Sequence, residues 1–254
     1  MKFYKAFCTT ILISLTLAFM LPTNKTVIYL VGDSTIANKE VKAFPETGWG
    51  MPFTYFFDST ITVDNRAKNG RSTKSFIEEG LWKPVVEKLK EGDYVFIQFG
   101  HNDEGKEKIG RYTTPEEFKV NLTRYVNETR SKKALPVLIT PVSRRTFDAN
   151  GVIKESHPVY SDAVKAVAEQ LRVPLIDLDE HSKQLLQKFG KENSKWLFNY
   201  LDPGEHPNYP EGHKDDTHFS ELGARRMAEI VLAQIKELNL GIAAHIRLPY
   251  HAKK

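Results

Sequence analysis

Apolar runs of strand length alternate with amphipathic stretches of helix length along most of the chain. Val27–Val31, Ile61–Asn65, Tyr94–Phe99, Pro136–Pro141 and Val173–Leu178 are short, rich in β-branched and aromatic residues, and bounded by turn formers. They predict five strands. Helical spacing between them predicts helices near Ser75–Lys90, Pro115–Lys132 and Pro158–Leu171. Thr114-Pro115-Glu116-Glu117 has the form of an N-cap, a first-position proline and two first-turn acids. A last helix is predicted from Ser220 to Leu238, with Ala224, Met227, Ile230, Val231 and Ile235 on one face. Such alternation implies a parallel sheet covered by helices on both sides, hence an α/β class. In these sheets the working site lies at the carboxyl ends of the strands. Ser34, Gly70 and Gly100-His101-Asn102 each follow a predicted strand closely, so three loops are expected to converge on one edge. The remaining stretch, Lys191–Lys214, is rich in Pro, Gly, His and aromatics and reads as one long irregular loop of functional kind.

A length of 254 residues suits one α/β domain, expected over residues 24–254. The first 23 residues differ from the rest. Lys2 and Lys5 precede the apolar run Phe7–Leu21, and polar Thr23-Asn24-Lys25 follows, the form of a secretory signal peptide. The run is shorter than the ~20 residues of a spanning helix, so no stable membrane insertion is expected after its removal. The single cysteine, Cys8, lies inside it. A mature chain without cysteine uses neither disulfides nor thiol chemistry, which fits a secreted or periplasmic bacterial protein. Losing Lys2 and Lys5 takes the formal charge from +4 to +2, and no basic stripe is interleaved with aromatics. Nucleic acid is therefore not an expected partner.

The chemistry begins at Gly32-Asp33-Ser34-Thr35, where an apolar strand breaks into a turn and offers a serine. A serine hydroxyl is a poor nucleophile without a base and a group that orients the base. Asp215-Asp216-Thr217-His218 supplies both: His218 as base and Asp215 as its orienter, meeting in one turn before the last helix. Asp216 is expected to point elsewhere. Oxyanion donors are available in the backbone N–H groups of Ser34 and Gly70 and the side-chain amide of Asn102. Singly, each piece reads as a turn, a cap or a strand end. Together, in this order and each at the end of an element, they read as an acyl-transfer site that needs no cofactor and no metal.

These four blocks resemble those of the GDSL-type, or SGNH, hydrolase superfamily. Gly32-Asp33-Ser34-Thr35, Asn69-Gly70-Arg71-Ser72-Thr73-Lys74-Ser75-Phe76 and Phe99-Gly100-His101-Asn102-Asp103 are similar to its rhamnogalacturonan acetylesterase branch. The resemblance spans essentially the whole mature chain. It implies a three-layer, flavodoxin-like α/β/α sandwich and hydrolysis of O-acetyl esters on pectin. It also implies Ser34, Asp215 and His218 as triad, and Ser34, Gly70 and Asn102 as oxyanion hole. Thr35 stands where the superfamily's usual name has leucine.

Other readings compete. The ester can belong to xylan, to another acetylated oligosaccharide or to a lipid. A lipase, however, wants an apolar lid, whereas Lys191–Lys214 is polar and aromatic. Trp196 and Tyr200 there suit stacking on sugar rings, and Arg71 and Lys74 can meet the carboxylates of an acidic glycan. A metal site built from His206, His213, His218, Asp215 and Asp216 matches no standard zinc spacing. A catalytically inactive sugar-binding module is the non-enzymatic alternative.

Overall fold

The computed structural model describes residues 25–247. The expected leader over residues 1–23, with Cys8, lies outside the described residues. Five parallel strands form the central sheet: β1 (Thr26–Gly32), β2 (Ile61–Asn65), β3 (Tyr94–Gln98), β4 (Leu135–Ile139) and β5 (Leu175–Ile176). Their order is β2-β1-β3-β4-β5, so the chain reverses direction across the sheet beside β1 and β3. A crevice outside the carboxyl ends of the strands is expected at such a switch point.

Successive strand residues face opposite layers, as the two-residue period requires. Ile28, Leu30, Phe96, Val137 and Ile139 enter one core. There they meet α1 (Gly50–Phe53), α6 (Leu178–Asn193) and α7 (Glu221–Glu237). Tyr29, Val31, Val95, Ile97 and Leu138 enter the other. That core is closed by α2 (Thr73–Glu78), α3 (Lys83–Lys88), α4 (Pro115–Ser131) and α5 (Pro158–Leu171). The chain is thus a three-layer α/β/α sandwich. Among the described residues no helix is long and apolar enough to cross a membrane.

The local signals act as read at α4. Thr114 accepts from the Glu117 N–H, Glu117 returns a bond to the Thr114 N–H, and Pro115 fills the first turn. Three expectations are corrected. The helix expected over Ser75–Lys90 is two helices, because Gly80 at φ +74° takes the left-handed conformation that ends α2. Pro84 then lies in the first turn of α3. The strand expected over Val173–Leu178 is only Leu175–Ile176, because Asp177 caps α6 by accepting from the Glu180 N–H. Lys191–Lys214 is not one irregular loop. It contains the end of α6, a 3-10 turn over Ser194–Leu197, and β6 (Phe198–Leu201). β6 pairs antiparallel with β7 (His213–Phe219), leaving only residues 202–212 irregular.

Candidate active site

β1 delivers Ser34 to the sheet edge in a turn held by its neighbours. Asp33 Oδ1 accepts from the Thr35 N–H at 2.9 Å and from Thr35 Oγ1 at 2.8 Å. Gln98 Nε2, at the end of β3, donates to Thr35 Oγ1 at 2.7 Å, and Trp49 Nε1 donates to Gln98 Oε1 at 2.9 Å. Thr35 therefore uses its hydroxyl as donor and acceptor at once, which a leucine there cannot do. Burial raises the Asp33 carboxyl above its ordinary range, against the two bonds from Thr35. Ser34 itself is only 9% exposed.

The partners of Ser34 come from β7. His218 Nδ1 donates to Asp215 Oδ2 at 2.7 Å, because a carboxylate can only accept. That tautomer leaves Nε2 to accept the Ser34 hydroxyl at 2.8 Å. Asp215 Oδ1 accepts from the Thr217 and His218 N–H groups at 2.7 and 3.0 Å. Burial pushes the Asp215 carboxyl up, but the hydrogen bond and charge of His218 and these two amides outweigh it. The carboxyl is held well below the ordinary carboxylate range. The His218 side chain is 28% exposed, so solvent reaches the imidazole edge. The pair sits on a strand, not in a turn before α7 as expected: the two backbone bonds to Asp215 fold an Asx turn into β7 itself.

Asp216 does point away. Its carboxylate meets Arg145 Nη1 at 2.6 Å and the Tyr200 hydroxyl at 2.6 Å. Arg145 also bonds Ser194 Oγ and the Lys191 carbonyl, and its own N–H donates to the Asp216 carbonyl at 2.8 Å. This nearly buried guanidinium fastens the β6–β7 hairpin to the end of α6.

The candidate oxyanion donors surround the same serine loop. Among the described residues neither the Ser34 nor the Gly70 N–H has a hydrogen-bond acceptor. Gly70 adopts φ +74°, a conformation that glycine takes without steric cost. Asn102 Nδ2 gives one hydrogen to the Arg71 carbonyl at 3.1 Å, and its second is free of that bond. Lys108 Nζ fixes the other end of the same loop on the His101 carbonyl at 2.9 Å.

Lys39 escaped the sequence reading. Its side chain is 0% exposed and its ammonium donates to the Ser34 carbonyl at 2.5 Å and Asn69 Oδ1 at 2.9 Å. Glu46 neutralises it at 2.6 Å. Burial lowers the Lys39 ammonium from its ordinary range, and Glu46 opposes that. A lone lysine in a loop carries no sequence signal for this role.

The remaining candidates have partners or surroundings of their own. Arg71 is paired with Glu79 at 2.8 Å, and Lys74 stands 3.9 Å from Glu78. Trp196, 73% exposed, and Tyr200 line a groove of about 920 Å³ on the outer side of the hairpin, together with His213 but without Ser34 or His218. His213 Nε2 is 3.7 Å from Asp215, and His206 packs toward Tyr209. Among the described residues no three His, Cys, Asp or Glu side chains gather in a metal-holding group.

A five-stranded parallel sheet with helices on both faces, carrying a serine on histidine on aspartate at its carboxyl edge, defines a class: a carboxylic ester hydrolase of the SGNH architecture. The family can then be stated. Residues 30–226 match the model of the GDSL-like lipase/acylhydrolase family, and the chain belongs to it. It is 44% identical over 219 residues to rhamnogalacturonan acetylesterase RhgT of Bacillus subtilis (strain 168), covering 86% of this chain and 93% of that protein. It is 38% identical over 220 residues to the probable rhamnogalacturonan acetylesterase YesY of the same organism, covering 86% and 96%. Among solved structures, protein YXIM of Bacillus subtilis superposes with a TM-score of 0.74 at 26% identity, over 86% of this chain and 58% of that one.

Proposed function

We propose that this chain is a secreted serine carbohydrate esterase that removes O-acetyl groups from acetylated rhamnogalacturonan. The observation that carries the reading is the His218 imidazole, bonded through one nitrogen to Ser34 Oγ and through the other to Asp215. The names of the two relatives support the acetyl ester and the pectic substrate. The basic start and apolar middle of residues 1–23 support secretion.

His218 takes the Ser34 proton as Oγ attacks the acetyl carbonyl, and Asp215 stabilises the imidazolium. The oxyanion forms against the Ser34 and Gly70 N–H groups and Asn102 Nδ2, each such donor contributing roughly 2.7–4 kcal/mol in the transition state. His218 returns the proton to the departing sugar alcohol. It next activates a water that attacks the acetyl-Ser34 carbonyl; acetate leaves and Ser34 recovers its proton.

The test is acetate release from acetylated rhamnogalacturonan and acetylated xylan, with the wild type and Ser34→Ala side by side. Release mainly from the pectic polymer, abolished in the variant while the fold is kept, is expected. Release mainly from xylan overturns the substrate and leaves the serine chemistry. Undiminished release by Ser34→Ala overturns the mechanism.

A further inference from the structure

The outer face of the Gly70 loop carries a cation with nothing to bind. A Cβ placed on Gly70 would lie 3.0 Å from Arg111 Nη1 and 3.4 Å from its Cζ, so the guanidinium rests on the backbone of the glycine that offers an oxyanion N–H. Arg111 is exposed, and among the described residues its guanidinium has neither an acidic nor a hydrogen-bonding partner. Four other cations of the loops that follow the strands are engaged. Lys39 holds Glu46, Arg71 holds Glu79, Arg144 holds Glu104, and Lys108 holds the His101 carbonyl. The backbone beneath Arg111 is anchored: its N–H donates to the Lys108 carbonyl at 2.9 Å, and Thr113 bonds Asp103 through both N–H and Oγ1 at 3.0 Å. The segment that carries Arg111 is thus held, and its guanidinium lies against the Gly70 loop.

We propose that Arg111 is a specificity-determining residue that binds the carboxylate of a uronic acid on the acetylated glycan. The inference rests on the reading of Ser34 as nucleophile and of Gly70 as oxyanion donor. An ester whose carbonyl oxygen meets the Gly70 N–H carries its sugar beside that loop, and an acid group on that sugar or its neighbour comes within reach of Arg111. A planar guanidinium with its donors unspent matches a carboxylate in a bidentate fork. This chemistry reassigns the task from the two cations that the sequence suggested. Arg71 already spends its fork on Glu79, and Lys74 points along its helix toward Glu78.

The test compares wild type, Arg111→Gln and Arg111→Lys on three acetate esters. They are an acetylated rhamnogalacturonan oligosaccharide, the same oligosaccharide with its carboxyl groups amidated, and p-nitrophenyl acetate. Arg111→Gln is expected to raise KM on the acidic oligosaccharide roughly five- to thirtyfold more than on p-nitrophenyl acetate. The excess should vanish on the amidated oligosaccharide, where wild type and variant converge. Arg111→Lys should recover part of the loss, since it keeps the charge without the fork. An equal loss on all three esters makes Arg111 a support of the Gly70 loop and overturns the proposal. No loss on the acidic oligosaccharide, or a wild type indifferent to amidation, overturns it as well. Ser34→Ala, run in parallel, separates these failures from that of the underlying reading: full activity there removes the nucleophile, whatever Arg111 does.

Discussion

One peptide bond separates two carboxylates with unlike surroundings. Asp215 accepts from His218 Nδ1 and from two backbone amides, while Asp216 faces Arg145 and the Tyr200 hydroxyl. Replacing Asp215 by Asn puts an amide where the imidazole N–H donates. An amide that turns its NH2 toward Nδ1 favours the tautomer in which Nε2 carries the proton and cannot accept from Ser34. The expected outcome is a fall in kcat on the order of 10⁴-fold, by the same logic as in other serine hydrolases. Asp216→Asn keeps an acceptor for Arg145 and Tyr200 and leaves the tautomer alone, so it should lower kcat far less. Steady-state kinetics on p-nitrophenyl acetate decides. A larger loss for Asp216→Asn would mean that the hairpin anchor, not the tautomer, controls His218. These residues were legible as types at a spacing; that they lie on a strand was not, because the Asx turn inside β7 leaves no period to read.

At the scale of elements, two loops from neighbouring strands must meet for the proposed oxyanion donors of Ser34 and Gly70 to converge, and Lys39 ties them. Its ammonium joins the Ser34 carbonyl after β1 to the Asn69 side chain after β2. Lys39→Met removes the tie and strands Glu46, which is only 14% exposed. A misplacement of one ångström in such a site costs about a hundredfold. The expected result is a kcat lower by roughly ten- to a hundredfold with KM little changed, together with a lower Tm. A lowered Tm with wild-type kcat would reduce Lys39 to a structural ion pair. Strands β1 to β4 and the long helices α4, α5 and α7 were readable, the strands as apolar runs and each of these helices by an apolar face and a cap or proline at its start. Helix α6 was equally periodic, with Leu178, Leu185, Leu186 and Phe189 facing the core. The apolar end of the preceding strand concealed its N-terminus. The β6–β7 hairpin is short, bulged between Phe198 and Tyr200, and held by Arg145 from a distant loop, so local pattern does not announce it. Lys39 and Arg145 act through contacts across long sequence separations, which a single chain's pattern does not encode.

For the molecule as a whole, the buried acid of the third block couples stability to pH. Asp103 is fully buried, and its Oδ1 accepts from Thr73 N, Thr73 Oγ1 and Thr113 Oγ1, while Oδ2 has no partner among the described residues. Burial dominates these bonds, aided by the charge of Asp33, and raises the carboxyl to about 7. An unfolded aspartate titrates near 3.9. Between those values the folded chain keeps a proton that the unfolded chain releases, so this group's contribution to stability falls as pH rises from about 4 to 7. The slope approaches about 1.4 kcal/mol per pH unit within the window and vanishes above it. His101 acts in the opposite sense. Burial and the nearby His157 hold its imidazole well below the ordinary range. The unfolded histidine therefore binds the extra proton below about 6.5, and stability falls there with acid. The wild-type curve sums the two, so the discriminating quantity is the difference between Asp103→Asn and wild type. The asparagine keeps the Oδ1 acceptor for Thr73 and Thr113 and cannot ionise. Urea unfolding from pH 4.5 to 8 should show the variant gaining on the wild type steadily up to about pH 7 and holding a constant lead beyond it. A difference that is flat across that range would mean that Asp103 is ionised in the folded chain throughout, its charge carried by the Thr73 and Thr113 bonds alone.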